Sequence, residues 1–315
     1  MKKEPVFRGA ATALITPLNE KGIDFEAYGR LIDWQIDRGI DALVVVGTTG
    51  EGSTLNYQEH RNAIRFAVRR ANGRVPIIAG TGSNDTAHAI QLTKFACDNG
   101  VDGVLLVTPY YNKATQKGLI AMYNAIADAV DRPIILYNVP GRTGVNLQPE
   151  TVLRLAADVP NIVAVKEASG DQFQCDRLIR ALAVVRPDFR VFSGNDDQAF
   201  HLVCAGGDGV ISVLSNVVPA LTSALMNAAL GGNLAEARKL HLQLLPLMKD
   251  LFHESNPIPV KYAASLLELC RDELRLPLVP AAQGTRELVH ADLLELAAGR
   301  PMQPNERDVL CTLSA

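Results

Sequence analysis

Only one tryptophan, Trp34, occurs in the 315 residues, and no basic stripe interleaved with aromatic side chains accompanies it. The formal net charge is −3, so nothing draws the chain electrostatically toward nucleic acid or an anionic membrane. No stretch approaches the roughly 18 consecutive apolar residues of a membrane-spanning helix. The opening Met1-Lys2-Lys3 runs at once into Glu4 and Pro5, and the next apolar stretch, Gly9 to Ile15, contains Thr12 and leads into Thr16-Pro17. That pattern does not read as a cleaved secretory leader. Cysteine is sparse: Cys97, Cys175, Cys204, Cys270 and Cys311 are odd in number and scattered, with no CxxC pair and no His/Cys cluster at zinc spacing. A disulfide scaffold and a structural zinc site are thereby excluded, and the thiols read as reduced packing residues of a cytoplasmic protein. Residues 16–24 hold no GxGxxG, which argues against an open doubly wound sheet that binds a dinucleotide. Neither a metal nor an organic cofactor finds a site, and a small molecule is the default partner.

What is present is rhythm. Short runs rich in Val, Ile and Leu alternate with amphipathic stretches about eight times. The expected strands are Ala10–Ile15, Ala42–Val46, Pro76–Ala79, Gly103–Val107, Ile134–Tyr137, Ile162–Val165, Arg190–Phe192 and Gly209–Val213. They show little polar alternation, as strands buried on both faces should. Asp24–Arg38, Tyr57–Ala71, Asp85–Asn99, Gln116–Val130 and Pro149–Ala157 are the clearest helices between them, and Gly39 and Gly100 stand where helix-ending glycines belong. Eight alternations without a long interruption predict an α/β fold, a closed (β/α)8 TIM barrel over residues 1–225. From about Leu221 the strand-like runs stop. Leu234–Leu251, Pro259–Leu269 and Thr285–Ala298 read as a C-terminal helical appendage over 226–299, and the polar, proline-bearing 300–315 as a flexible tail.

Chemistry in such barrels sits at the carboxyl ends of the strands, and there this chain collects glycine and polar residues. The second strand leads into Gly47-Thr48-Thr49-Gly50-Glu51-Gly52, the fourth into Thr108-Pro109-Tyr110-Tyr111, and the fifth into Tyr137-Asn138-Val139-Pro140-Gly141-Arg142-Thr143-Gly144. The sixth ends in Lys166-Glu167, the seventh in Ser193-Gly194-Asn195-Asp196, and the eighth in Ile211-Ser212. Lys166 is the most informative of these. An amine at the end of a buried strand is poorly hydrated, so its charged form is disfavoured and the free amine can attack a carbonyl. The plainer alternative pairs it with Glu167 or lets it snorkel to the surface. Each other element also has a plain reading: a tight turn for Gly47–Gly50, rim packing for Tyr110 and Tyr111, a core hydroxyl for Tyr137, a solvated loop arginine for Arg142. Their convergence on one rim favours a site. Glycine-exposed amides and threonine hydroxyls suit a carboxylate, and the Arg142 fork suits a second one.

The three segments Gly47-Thr-Thr-Gly-Glu51, Tyr137-Asn-Val-Pro-Gly-Arg-Thr-Gly144 and Val165-Lys-Glu-Ala-Ser-Gly170 together resemble the dihydrodipicolinate synthase family of pyruvate-dependent class I aldolases, within the N-acetylneuraminate lyase superfamily. The resemblance runs from about Phe7 to Pro280 and includes Gly207–Val213 and Asn256–Lys261. It implies that pyruvate and aspartate semialdehyde condense through a Schiff base on Lys166 to give 4-hydroxy-tetrahydrodipicolinate, a step of lysine biosynthesis through diaminopimelate. Thr48 and Thr49 would then hold the pyruvate carboxylate, Arg142 the carboxylate of the aldehyde, and Gly194 and Ile211 would line the pyruvate pocket. Tyr137 would move protons through Thr48 to Tyr111, which in the family enters the site of a neighbouring subunit. A homodimer is then the minimal active unit, usually paired into a tetramer.

Two alternatives stand beside this reading. A sugar-acid aldolase, such as an N-acetylneuraminate or 2-keto-3-deoxy-sugar-acid lyase, would use the same lysine with a pocket for a polyhydroxylated aldehyde; Arg142 in its Gly-Arg-Thr-Gly setting favours a short carboxylate-bearing one. An inactive keto-acid-binding relative would have lost the lysine or the tyrosines, and all are here. One departure from the family is Asn195, at a position acidic in many synthases. Another concerns the interface site where some members bind lysine as a feedback inhibitor. Its matching positions are Gly52, Ser53, Leu55, Tyr57, His60, Asn84, His88 and Tyr110. Lysine-sensitive members carry histidine where this chain has Tyr57, and glutamate where it has His88. Without that carboxylate the lysine ammonium loses its favourable partner. Inhibition by lysine is therefore expected to be weak or absent in a steady-state assay, and half-inhibition at sub-millimolar lysine would contradict this.

Overall fold

The apolar runs become eight parallel strands in the computed structural model of the chain, which describes residues 6–298. They are β1 Gly9–Ala13, β2 Ala42–Val45, β3 Ile77–Gly80, β4 Gly103–Val107, β5 Ile134–Asn138, β6 Ile162–Glu167, β7 Arg190–Ser193 and β8 Gly209–Ser212. Each pairs with the next, and β8 closes on β1 with Ala11 opposite Ile211 and Thr12 opposite Ser212. The closure depends on two glycines. Gly209 has φ +142° and faces Gly9, whose carbonyl oxygen would lie 1.8 Å from any Cβ placed on Gly209. The expected strands agree with these bounds to within one or two residues at each end. The tail expected over 300–315, with Cys311, lies outside the described residues.

A helix follows each strand: α1 Phe25–Asp37, α2 Tyr57–Ala71, α3 Thr86–Asp98, α4 Gln116–Ala127, α5 Pro149–Asp158, α6 Gln172–Val185, α7 Asp196–Cys204 and α8 Pro219–Leu230. Several begin at a side chain that satisfies the orphan amides of the first turn, as Asp24, Asp85, Thr115 and Asp171 do. Before α2, Asn56 and Glu59 form a reciprocal capping box. Two local features were not foreseen. A small antiparallel hairpin pairs Leu18–Asn19 with Gly22–Ile23. The segment expected as a loop around Arg142 contains a one-turn helix, Pro140–Thr143, because Pro140 presets its first position and Gly144 ends it at φ +70°.

Apolar side chains fill two regions. The larger lies between the barrel and its helices; the smaller is the barrel interior, where Ala11, Val44, Ile78, Leu105, Ile135, Tyr137, Ala164, Phe192 and Ile211 meet. Phe7 plugs the amino-terminal end by stacking on Phe192, with ring centroids 4.2 Å apart. On β6 the register slips by one residue: Ile134 opposes Ile162, but Ile135 opposes Ala164, leaving Val163 extra. Such a bulge resets which side chains face inward. From there Tyr137 stands opposite Lys166 and Asn138 opposite Glu167, so Lys166 joins the interior row and Glu167 the outer one.

Three more helices, α9 Leu234–Asp250, α10 Ile258–Leu266 and α11 Gln283–Ala298, complete the described chain. α9 packs on α8 and α7, and α11 packs on α9 and α10. Among the described residues no helix is long and apolar enough to cross a membrane. The C-terminal region reaches back to the barrel mouth through one buried ion pair. Lys261 on α10 donates to Glu51, in the loop after β2, with their side chains 0% and 1% exposed. Lys261 also donates to the Glu273 carbonyl at 2.6 Å, and Glu51 accepts from the Arg275 amide at 2.9 Å. Replacing Lys261 by Met leaves a carboxylate buried without its cation, and should destabilise the protein by about 3–5 kcal/mol in urea unfolding. The double variant Glu51→Gln/Lys261→Met should lose less than the single one. A single variant as stable as the parent would show that the pair does not anchor the C-terminal region.

Candidate active site

Lys166 ends up where desolvation acts on it most. Its residue is 4% exposed, and its Nζ lies 4.4 Å from the centroid of the Tyr137 ring. Burial pushes its pKa down to about 7; the Asp196 carboxylate pulls it up and the Arg142 guanidinium adds to the lowering. The plainer alternative, a bond to Glu167, is not formed. Glu167 points to the outer face, where Asn138 Nδ2 donates to both its oxygens at 3.0 and 3.1 Å, Gln174 Nε2 at 3.0 Å and the Ser169 amide at 2.7 Å. Asp196 is itself buried. Burial raises its pKa, while Ser212 and the amides of Leu214 and Val213 hold it back, the two amides at 3.0 and 2.9 Å. It ties the end of β8 to the start of α7.

Gly194 is shaped by the same lysine. A Cβ on it would lie 2.6 Å from Ala168 Cβ and 3.0 Å from Lys166 Cε, so only glycine lets the amine stand there without displacement. Its amide donates to the Glu167 carbonyl at 2.7 Å, and Ile211 is fully buried in the same interior. The Gly47–Gly52 loop is tightly wound. Val46 and Glu51 have φ of +51° and +54°, and a Cβ on Gly52 would come within 2.2 Å of the Val46 carbonyl oxygen. That winding, held by Glu51, brings Thr48 and Thr49 to the mouth. Thr48 is hydrogen-bonded to Tyr137. Thr49 is buried, and its Oγ1 accepts from Asn256 Nδ2 at 2.9 Å. Arg142 Nη2 donates to the main-chain oxygen of Asn256 at 3.0 Å.

Burial raises the pKa of Tyr137, against the lowering effects of Arg142 and the Thr48 hydrogen bond. Thr48, Tyr137 and Arg142 line a cavity of about 350 Å³ that continues past Gly52, Ser53, Leu55, Tyr57, His60, His88 and Tyr110. Seven of the eight positions matched to a lysine-binding site thus open onto the space that Arg142 faces. Asn84 is the eighth, and its carbonyl accepts from Asn112 Nδ2 at 3.0 Å. His60 Nε2 meets the Gly80 carbonyl at 3.0 Å, and burial lowers its pKa. Tyr57 stands beside His88 at 6.2 Å between centroids. Tyr111 does not join the group in this chain: its side chain is 91% exposed on a backbone of φ +74°. Asn195 is occupied elsewhere, donating to Gln198 Oε1 at 2.8 Å.

Sequence reasoning assigned no role to Asp196, Asn256 or Lys261. In the sequence the first is only one of several polar residues at a strand end. The other two lie far along the chain in a helical region that gives no sign of returning to the barrel mouth. Among the described residues no three His, Cys, Asp or Glu side chains gather to hold a metal.

Over residues 6–296 the chain matches the Dihydrodipicolinate synthetase family. The 4-hydroxy-tetrahydrodipicolinate synthase of Kosmotoga olearia is 57% identical to it over 284 residues, 90% of this chain and 96% of that one. The protein of the same name from Thermotoga neapolitana is 51% identical over 290 residues, 92% of this chain and 99% of its own. The crystal structure of dihydrodipicolinate synthase from Thermotoga maritima resembles the fold with a TM-score of 0.91 at 48% identity, covering 93% of this chain and 99% of that one.

An amine reagent small enough to enter the cavity, such as methyl acetyl phosphate, should label Lys166 with a pH midpoint near 7 when its peptide is followed by mass spectrometry. Only the unprotonated amine reacts, so labelling rises as pH rises through that value. Asp196→Asn should move the midpoint down, because the carboxylate favours the ammonium form. A midpoint above about 9, near that of a solvated lysine, would mean that burial does not activate the amine.

Proposed function

Since the chain belongs to the dihydrodipicolinate synthetase family, we propose that it condenses pyruvate with aspartate semialdehyde to give 4-hydroxy-tetrahydrodipicolinate, with Lys166 as the nucleophile. The observation that carries this is the buried Lys166 amine, held beside Tyr137 with its pKa lowered to about 7. It attacks the keto carbon of pyruvate, and loss of water leaves an iminium ion. The positive nitrogen draws electrons from the neighbouring carbon, so the methyl group loses a proton and becomes an enamine nucleophile. The enamine carbon adds to the aldehyde of the second substrate. That substrate's own amine then displaces Lys166 from the imine carbon, which closes the ring and frees the enzyme.

Thr48 and Thr49 hold the pyruvate carboxylate, supported by the winding of their loop, and Gly194 and Ile211 shape the pocket around the keto acid. Arg142 takes the carboxylate of the aldehyde at the outer end of the cavity. Tyr137 stays protonated because its burial disfavours the phenolate, and it exchanges protons with the reacting groups through Thr48. A phenol does this at neutral pH only within a relay, and the partner subunit's Tyr111 completes it. The exposure of Tyr111 on a left-handed backbone supports this: an aromatic ring held in solvent at such a cost in conformation fits a contact with a second copy. The active form is a homodimer, paired into a tetramer. Its place is the cytoplasm. Neither a metal nor an organic cofactor is part of the reaction.

Pyruvate consumption by the purified protein should require aspartate semialdehyde and should vanish in Lys166→Ala. Tyr137→Phe should lower kcat by about 10²–10⁴-fold, the range of one acid–base group, while borohydride still traps pyruvate on Lys166. Trapping without consumption in the parent enzyme would move the assignment to a sugar-acid aldolase. No trapping at all would point to an inactive relative.

A further inference from the structure

The burial that frees the Lys166 amine works against the next intermediate. A desolvated nitrogen resists positive charge, and an imine nitrogen is less basic than the amine from which it forms. Yet the imine must be protonated to draw electrons from the methyl carbon. One nitrogen has to be neutral when it attacks and cationic a step later. A dry site meets both demands only if a fixed negative charge acts on it. Among the described residues no Asp or Glu lines the cavity that Thr48, Tyr137 and Arg142 share. Glu167 is turned to the outer face among its own donors. Asp196 is the carboxylate whose charge acts on Lys166, against that of Arg142.

The fold sets Asp196 there and keeps it charged. Lys166 stands opposite Phe192 on β7. Just past that strand, a Cβ on Gly194 would lie 3.0 Å from Lys166 Cε, and Asp196 then opens α7. It is 4% exposed. Its Oδ2 accepts from the amides of Val213 and Leu214 at 2.9 and 3.0 Å, and the Ser212 hydroxyl donates to the carboxylate as well. Ser212 Oγ accepts from the Ser215 amide at 2.9 Å, which leaves its own proton for Asp196. These donors favour the ionised form of a carboxylate that burial alone would neutralise. We propose that Asp196 is the counter-charge of the protonated imine on Lys166, holding the nitrogen cationic until the enamine forms. This rests on the reading in which Lys166 condenses with pyruvate. Asp196 acts through Lys166 rather than on the substrate, as a positioning residue.

The test follows exchange of the pyruvate methyl protons for deuterium by proton NMR, in heavy water without the aldehyde, across a range of pH. The protonated imine loses a methyl proton. The C–H electrons form the carbon–carbon double bond of the enamine, the C=N pair moves onto nitrogen, and the return step delivers a deuteron. A neutral imine lacks this electron sink, so exchange falls once the pH passes the pKa of the imine. In the parent enzyme the fall should come above about pH 7, where the free amine is already half deprotonated. A fall below that value would overturn the proposal without any variant. In Asp196→Asn the fall should move down by at least about one pH unit, the low end of what a nearby opposite charge does. The asparagine oxygen can still accept from Val213 and Leu214. Borohydride trapping of pyruvate by this variant in mild acid, where its imine is protonated, reports an intact fold and nucleophile. Exchange slowed equally at every pH in Asp196→Asn would mark a structural role and overturn the proposal. An unchanged profile would do the same, leaving the pyruvate carboxylate as the counter-charge. Failure of the parent enzyme to trap pyruvate would instead remove the functional reading on which it stands.

Discussion

The buried pair of Glu51 and Lys261 is the constraint on which the site depends. Two charges taken out of water are stable together only if each is nearly saturated with hydrogen bonds. Here Glu51 takes Lys261 and the Arg275 amide, and Lys261 takes Glu51 and the Glu273 carbonyl. The consequence is geometric. Glu51 closes the loop that carries Thr48 and Thr49, and Lys261 belongs to the helix just beyond Asn256, which bonds to Thr49 and Arg142. The C-terminal region is therefore tied to the loops at the barrel mouth.

The same logic of burial, without a partner, sets the state of the Lys166 amine. Among the described contacts Lys166 has no hydrogen-bonded carboxylate; it faces an aromatic ring and a glycine, and feels the charge of Asp196. Desolvation then outweighs attraction, and the amine is half deprotonated near neutral pH. Its neighbour Glu167 stays in a ring of amide donors one pleat away. A strand separates a charge to be stabilised from one to be activated simply by alternating its faces.

Much of this was legible in the chain. Strands buried on both faces cannot hide their composition, so Ala42–Val45 or Ile134–Asn138 stand out as apolar runs wherever they lie. Counting eight of them implies closure, and closure implies that residues just after each run share one rim. That is why the sequence alone groups Lys166, Tyr137, Thr48 and Arg142 at one rim. The Leu18–Ile23 hairpin and the turn at Pro140–Thr143 were less visible, because two-residue strands and single helical turns are too short to show a period. The burial of Asp196 has no mark in the sequence, where nothing local distinguishes it from Asp197 beside it.

The chain by itself determined the barrel, the activated lysine and the residues at its rim, because each follows from hydrophobic period and from position relative to a strand end. Three things were decided only in the folded molecule. The bulge at Val163 turned Lys166 rather than Glu167 inward, through pairing with a strand more than twenty residues away. The return of α10 placed Asn256 and Lys261 against Thr49 and Glu51, 207 and 210 residues earlier. The exposure of Tyr111 left its ring outside the group gathered around Lys166. Contacts between residues so far apart are set by packing, and no local pattern encodes them.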